Sequence, residues 1–286
     1  MRWRRGRRST NIEDRRGMRP SMRREASIGG GGIILAVIAV FFLGADPAQI
    51  IGMLVGGGGQ LSAPAPSARQ KATEDELADF VSVVVADTED TWGPIFRSAG
   101  YRYQPAKLVL YSGMVHFACG TGSSAAGPFY CPGDHKVYLD LGFLRELKRL
   151  GAPGDFAFAY VIAHEIGHHV QNLLGVSQQI RQTQQRVSRR EANALSILTE
   201  LQADCYAGVW AHHAQSQRQI LERGDIEEGL GAAAAVGDDR LQQMTGRGIH
   251  PESFTHGSSE QRMRWFKSGF QSGDSSACDT FAQARS

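Results

Sequence analysis

Apolar positions recur at helical spacing between Glu74 and Phe96, where Leu77, Phe80, Val81, Val84 and Val85 form one stripe, and this predicts an amphipathic helix. Lys107–Tyr111 (KLVLY) and Val137–Leu141 (VYLDL) are short β-branched and aromatic runs bounded by Gly and Pro, which predicts strands. Between them a Gly/Ser loop is expected over 120–127. From Phe156 to Leu174 the chain is apolar on nearly every face and stops at Gly175, the pattern of a buried helix with a glycine C-cap. Residues from Val176 to about Ile220 run Gln- and Arg-rich and then apolar, predicting helix with a break near Ser188. Ser258 and Gln261 have the spacing of a capping box, which opens a further helix through Phe266. Helix, strands and then helices make the class α+β, mainly helical with a small sheet.

Ahead of these elements lies a different pattern. Ile28–Leu43 reads IGGGGIILAVIAVFFL without a charge, and Gly44 and Ala45 extend it to 28–45, within the roughly 17–25 residues that a membrane-spanning helix needs. Residues 1–28 hold ten Arg against three acids, so they carry +7 in a chain whose net charge is only +2. Arginine on one side of a single span holds that side in the cytoplasm. The expected organisation is therefore an Arg-rich cytoplasmic head (1–27) and one transmembrane anchor (28–45), then a Gly/Pro/Ala-rich linker (46–73) and a folded extracytoplasmic domain (74–286). A cleaved signal peptide is the rival, but the head is long and no A-x-A site follows Leu43 directly. Basic residues stop where the apolar run begins and lack aromatic interleaving beyond Trp3, so no nucleic-acid partner is expected.

Inside the predicted buried helix stands His164-Glu165-Ile166-Gly167-His168, the HExxH pattern. Positions i and i+4 lie one turn apart on one helix face, so both imidazoles can reach a single metal ion, with Glu165 beside them to act on water. Burying two histidines and a glutamate without a partner would be costly, which argues against satisfied core residues. A catalytic zinc takes three protein ligands and keeps a fourth position open. The extended pattern HExxHxxGxxH fails, because Gln171 and Leu174 stand where Gly and His would be needed. The candidate third ligand is Glu200, which shares a helix face with Asp204. That spacing suits one ligand and one carboxylate that orients a ligating histidine through its other ring nitrogen. His169 points about 100° away from His168 and reads as a surface or supporting residue. His212 and His213 read as exposed.

Three segments, HEIGHHVQ, ELQADCYAGVW and SFTHGSSEQR, resemble the putative neutral zinc metallopeptidase family (the YpfJ-like proteins). In motif they are also similar to the membrane-associated gluzincins HtpX and the CAAX prenyl endopeptidases. The resemblance covers most of residues 1–270. It implies a zincin-like fold, one catalytic Zn2+ on His164, His168 and Glu200, and Glu165 as catalytic base. It further places His256 and Arg262 near the substrate, where they could hydrogen-bond a developing oxyanion. The expected function is a membrane-anchored extracytoplasmic zinc metallopeptidase acting on peptide or protein substrates. The alternative is a non-enzymatic, zinc-stabilised membrane scaffold or assembly factor. Ligand type alone also suits iron or manganese. Strand Val137–Leu141 is either the edge that pairs an extended substrate or an ordinary internal strand.

The four cysteines, Cys119, Cys131, Cys205 and Cys278, have no CxxC spacing and permit three pairings. Cys119–Cys131 closes a short local loop. Cys205–Cys278 ties a polar tail to the helix bearing Asp204. Disulfides in these positions point to an oxidising compartment.

Overall fold

The protein is described here by a computed structural model covering residues 1–17, 68–123, 127–246 and 248–283. The expected span, 28–45, lies outside these residues; among them no helix is long and apolar enough to cross a membrane. The order is β1 (Ile12–Asp14), α1 (Ala68–Ser98), β2 (Lys107–Tyr111), β3 (Met114–Phe117), β4 (Gly120–Ser123), β5 (Phe129–Cys131) and β6 (Lys136–Asp140). Then come α2 (Phe143–Arg149), α3 (Asp155–Leu173), α4 (Val176–Gln184), α5 (Arg189–Arg218), α6 (Asp225–Ala235), α7 (Asp238–Met244), α8 (Ser259–Ser272) and α9 (Thr280–Gln283).

The strands β1, β2, β6 and β5 lie side by side in that order; the first three run parallel and β5 is antiparallel to β6. Alternation sorts the two central strands. Leu108, Leu110, Val137 and Leu139 enter the large core with the helices. Val109, Tyr111 and Tyr138 enter a smaller core with Val115, Phe117, Phe129 and Cys131. Burial on both faces explains why KLVLY and VYLDL read as continuous rather than alternating apolar runs. The stretch expected as a loop at 120–127 instead begins with β4, which pairs antiparallel to β3 and covers the second face. β6 has a neighbour on each side, so the internal-strand reading of Val137–Leu141 is the observed one.

The helices pack around α3, which is buried along almost its whole length. α5 and α8 approach each other closely. A Cβ built on Gly208 would sit 2.1 Å from the Phe266 carbonyl oxygen, and one on Gly269 would sit 2.0 Å from the Cys205 carbonyl oxygen. Only glycine fits at either position. On the other side, Gly167 of α3 faces Ala203 of α5, where a Cβ would lie 3.0 Å from the backbone oxygen. Ser188 caps α5 with Glu191, and Ser258 caps α8 with Gln261; both are complete capping boxes.

Two expected boundaries move. The linker does not extend to residue 73, because α1 begins at Ala68. Residues 1–17 are not a separate head: Trp3 stacks edge-on against Phe80 in the main core, and β1 extends the sheet. The arginines that set this segment's charge pair with acids of α1, as Arg4 with Glu76, Arg7 with Glu89 and Asp90, and Arg8 with Asp79.

Both disulfides have the expected pairing, Cys119–Cys131 and Cys205–Cys278. The first ties the β3–β4 turn to β5. The second holds the 3-10 turn Ser275–Cys278 against α5.

Candidate metal centre

His164 and His168 stand one turn apart on α3 with ring centroids 4.7 Å apart. Glu200 approaches from α5. Its Oε2 lies 3.1 Å from His164 Nε2 and its Oε1 lies 3.4 Å from His168 Nε2. Ligands sharing one tetrahedral zinc at about 2.0–2.1 Å are themselves roughly 3.3–3.4 Å apart, which both nitrogen–oxygen distances approach, and one ligand atom from each residue lies within 4.8 Å of the others. The other ring nitrogens are already engaged. His164 Nδ1 is 2.8 Å from Asp204 Oδ1, and His168 Nδ1 is 2.9 Å from Gln171 Oε1. Donation from each Nδ1 would leave each Nε2 free to bind a metal ion on the side of Glu200, the arrangement that second partners of metal-binding histidines impose.

Asp204, on α5, is fully buried and held from two other helices. It accepts hydrogen bonds from His164 and from the Tyr160 hydroxyl, both on α3. From α8, Arg262 donates through Nε at 2.8 Å and Nη2 at 2.9 Å. Burial works against its charge, but Arg262 and His164 outweigh burial and keep its pKa below the ordinary value. Burial also opposes ionisation of Glu200, yet His168 and His164 hold its pKa well below the usual carboxylate range. Burial alone would lower the pKa of His164, whereas Asp204 and Glu200 push it up to about 10. Two carboxylates around two imidazoles thus favour a positive charge at this point. That is the electrostatic signature of a cation site.

Glu165, next to His164 and largely buried, accepts no hydrogen bond from any described residue. A carboxylate in that state is available to act on water. His256 is partly exposed, with 43% of its side chain accessible, and its Nδ1 lies 3.2 Å from Asp238 Oδ1. Asp238, at the start of α7, is itself fixed by the backbone N–H groups of Thr255, His256 and Gly257. Burial disfavours the charged His256 ring, but Asp238 and Glu200 raise its pKa.

Arg262 is not placed to meet a substrate. It is 3% exposed, its Nη1 donates to the Val236 carbonyl, its Nε and Nη2 engage Asp204 and Tyr160, and Nη2 lies 3.4 Å from His164 Nδ1. It lies on the Nδ1 side of His164, behind the ligand rather than in front of it. The resemblance placed Arg262 near the substrate, whereas α8 buries this side chain against α3 and α5, a packing that the sequence does not show. His169 is fully buried, bonded to the Tyr130 hydroxyl and the Gln104 carbonyl, and desolvation lowers its pKa to about 4. His212 and His213 are part-buried and engage the Phe270 and Gly273 carbonyls at the end of α8.

Tyr160, Gln171 and Asp238 were missed. The first two had a signal, since they lie four residues before His164 and three after His168 on the same helix face. Asp238 had none beyond its place after Gly237. A second cluster of acids, Asp155, Asp225 and Glu228, is already occupied in another way. The Met1 ammonium lies 2.9 Å from Asp155, and Glu228 accepts from the Phe156 backbone N–H.

Two convergent imidazoles, each held at Nδ1 by a hydrogen-bond partner, and one carboxylate make up a candidate metal site on an HExxH helix. The chain belongs to the family described as "Putative neutral zinc metallopeptidase", whose pattern matches residues 1–281. It is 48% identical to the Escherichia coli K12 protein printed as "Uncharacterized protein YpfJ", over 99% of this chain and all of that one. It is 41% identical to "Uncharacterized protein Mb2605" of Mycobacterium bovis and to "Uncharacterized protein Rv2575" of Mycobacterium tuberculosis, over 85% of each chain. No solved structure matches it.

Proposed function

We propose that the protein is a zinc peptidase that hydrolyses peptide bonds, with His164, His168 and Glu200 holding the ion and Glu165 as general base. The observation that carries this reading is the convergence of two Nε2 atoms and one carboxylate at 3.1 and 3.4 Å, with both Nδ1 atoms bound elsewhere. When bound, zinc supplies Lewis acidity, polarising a carbonyl oxygen and acidifying water to a pKa of about 7.

The chain's own residues divide the remaining work. Glu165 takes a proton from the attacking water and delivers it to the leaving amine. His256, whose Nδ1 lies beside Asp238 and whose charge is felt by Glu200, is suited to donate a hydrogen bond to the carbonyl oxygen as negative charge develops. Asp204, with Arg262 and Tyr160 behind it, fixes the ring of His164; Gln171 fixes the ring of His168. These are positioning residues. The antiparallel edge strand β5, whose Tyr130 reaches His169 and Asn172 on α3, supports pairing with an extended peptide there.

Two disulfides support an oxidising compartment, and the apolar run 28–45 supports attachment to a membrane. A scaffold that used zinc only for stability would have no need of an unengaged buried Glu165. In full-length protein, Glu165→Gln is expected to keep one zinc and lose at least 100-fold in hydrolysis of an unfolded protein substrate. Unchanged turnover would remove Glu165 from the mechanism; zinc-loaded wild type without any hydrolysis would favour the scaffold.

A further inference from the structure

The first 17 residues carry an inference about topology that does not depend on the metal. β1 is hydrogen-bonded along β2 in parallel register, Ile12 opposite Leu108 and Asp14 opposite Leu110. Backbone contacts continue on both sides of it. Ser9 N–H donates to the Ser82 carbonyl on α1, and Arg15 N–H donates to the Leu110 carbonyl. Glu13 reaches across the sheet to Lys136 of β6, 2.9 Å away. Trp3 is 92% buried on Phe80. The exposed ion pairs each contribute little. The strand, the indole and the backbone bonds make this segment part of the domain.

The two ends of the intervening chain also meet. Arg16, one residue before the described segment ends, lies 3.1 Å from Asp75, in the second turn of α1. A single crossing between them would put about 30 Å of hydrocarbon between these two side chains. We infer that residues 1–17 and the metal-bearing domain lie on the same side of any membrane the chain meets. The arrangement expected from charge alone, head in the cytoplasm and domain outside across one span, is incompatible with this sheet. Arg4, Arg7, Arg8 and Arg16 have a different role in the fold, as partners of Asp75, Glu76, Asp79, Glu89 and Asp90.

The test uses the full chain in its own membranes. Single cysteines replace exposed Arg5 and exposed Lys267 in separate proteins, the four native cysteines being paired and unreactive. Sealed vesicles are treated with a membrane-impermeant maleimide before and after permeabilisation. Both positions are expected to react under the same condition, both before it or both only after it. Reaction of one from outside and of the other only after permeabilisation would overturn the inference. As a second measurement, a zero-length carbodiimide applied to intact membranes should join Glu13 to Lys136, seen as a fused peptide by mass spectrometry and absent in Glu13→Gln. Failure to form that product in wild type would equally overturn it.

Discussion

Asp204 shows how one side chain can govern a site without touching what reacts there. Its carboxylate is neutralised by Arg262 and spends one oxygen on His164 Nδ1, so the ligand's tautomer and angle follow from a bond made behind it. Removing Arg262 would strip the buried carboxylate of its guanidinium partner, and breaking a buried ion pair typically costs about 3–5 kcal/mol. Arg262→Met is therefore expected to lower the melting temperature markedly and to weaken zinc binding; an unchanged melting temperature would show that the charge is solvated. On the opposite ring, Gln171 links His168 to Gln202, whose amide in turn donates to the Cys278 carbonyl. Gln171→Leu should weaken zinc binding by about 10–100-fold in a chelator competition titration. Equal affinity would make Gln171 a bystander. Both ligand histidines must be free of protons at Nε2, so zinc should be released as pH falls. The pairing of His164 with His168, and of Glu200 with Asp204, was legible in the sequence because an i, i+4 spacing places each pair on one helix face. Arg262 was legible as a residue but not as a role, since its burial depends on how three helices meet.

At the scale of elements, helix packing is decided by a few small residues. α5 and α8 touch backbone to backbone at Gly208 and Gly269, and this contact brings Arg262 to Asp204. Gly208→Ala would force the helices apart and should cost about 3 kcal/mol or more. Gly231→Ala in α6 meets nothing within 4 Å and should be neutral or stabilising by up to about 1 kcal/mol, the helix-propensity difference. Chemical denaturation of both variants measures the contrast; similar losses would mean that the tight approach is not what Gly208 serves. The long helices and both capping boxes could be read from periodicity and Ser/Glu or Ser/Gln spacing. β1, β4 and β5 could not, because strands of three or four residues are too short to carry a period of their own and exist only through pairing. The alanine-rich α6 was likewise unread, having no polar face to define a stripe.

For the molecule as a whole, the sheet and the disulfides tie distant segments to one site. Cys205 follows Asp204 directly and Cys278 supplies the carbonyl that holds Gln202, so the polar tail is fastened where it supports the metal helices. Reduction of this bridge is expected to cost roughly 2–5 kcal/mol of stability, read as a lower melting temperature in reductant and reproduced by Cys278→Ser. Loss of stability in reductant but not in Cys278→Ser would assign the effect to Cys119–Cys131. The organisation of the N-terminus was the least legible feature. A basic head followed by an apolar run has the charge pattern of a single-span anchor, and that pattern contains nothing about the β1–β2 pairing that draws residues 1–17 into the domain.

The central claim is that two helices present one zinc site on His164, His168 and Glu200. Zinc-edge X-ray absorption on the full chain tests it most directly. The account predicts one zinc per chain with two imidazole nitrogens at about 2.0–2.1 Å and a carboxylate oxygen at about 2.0–2.2 Å, the imidazole scattering halved in His168→Ala. A sulfur-ligated zinc, or an unchanged spectrum and full occupancy in His168→Ala, would contradict it.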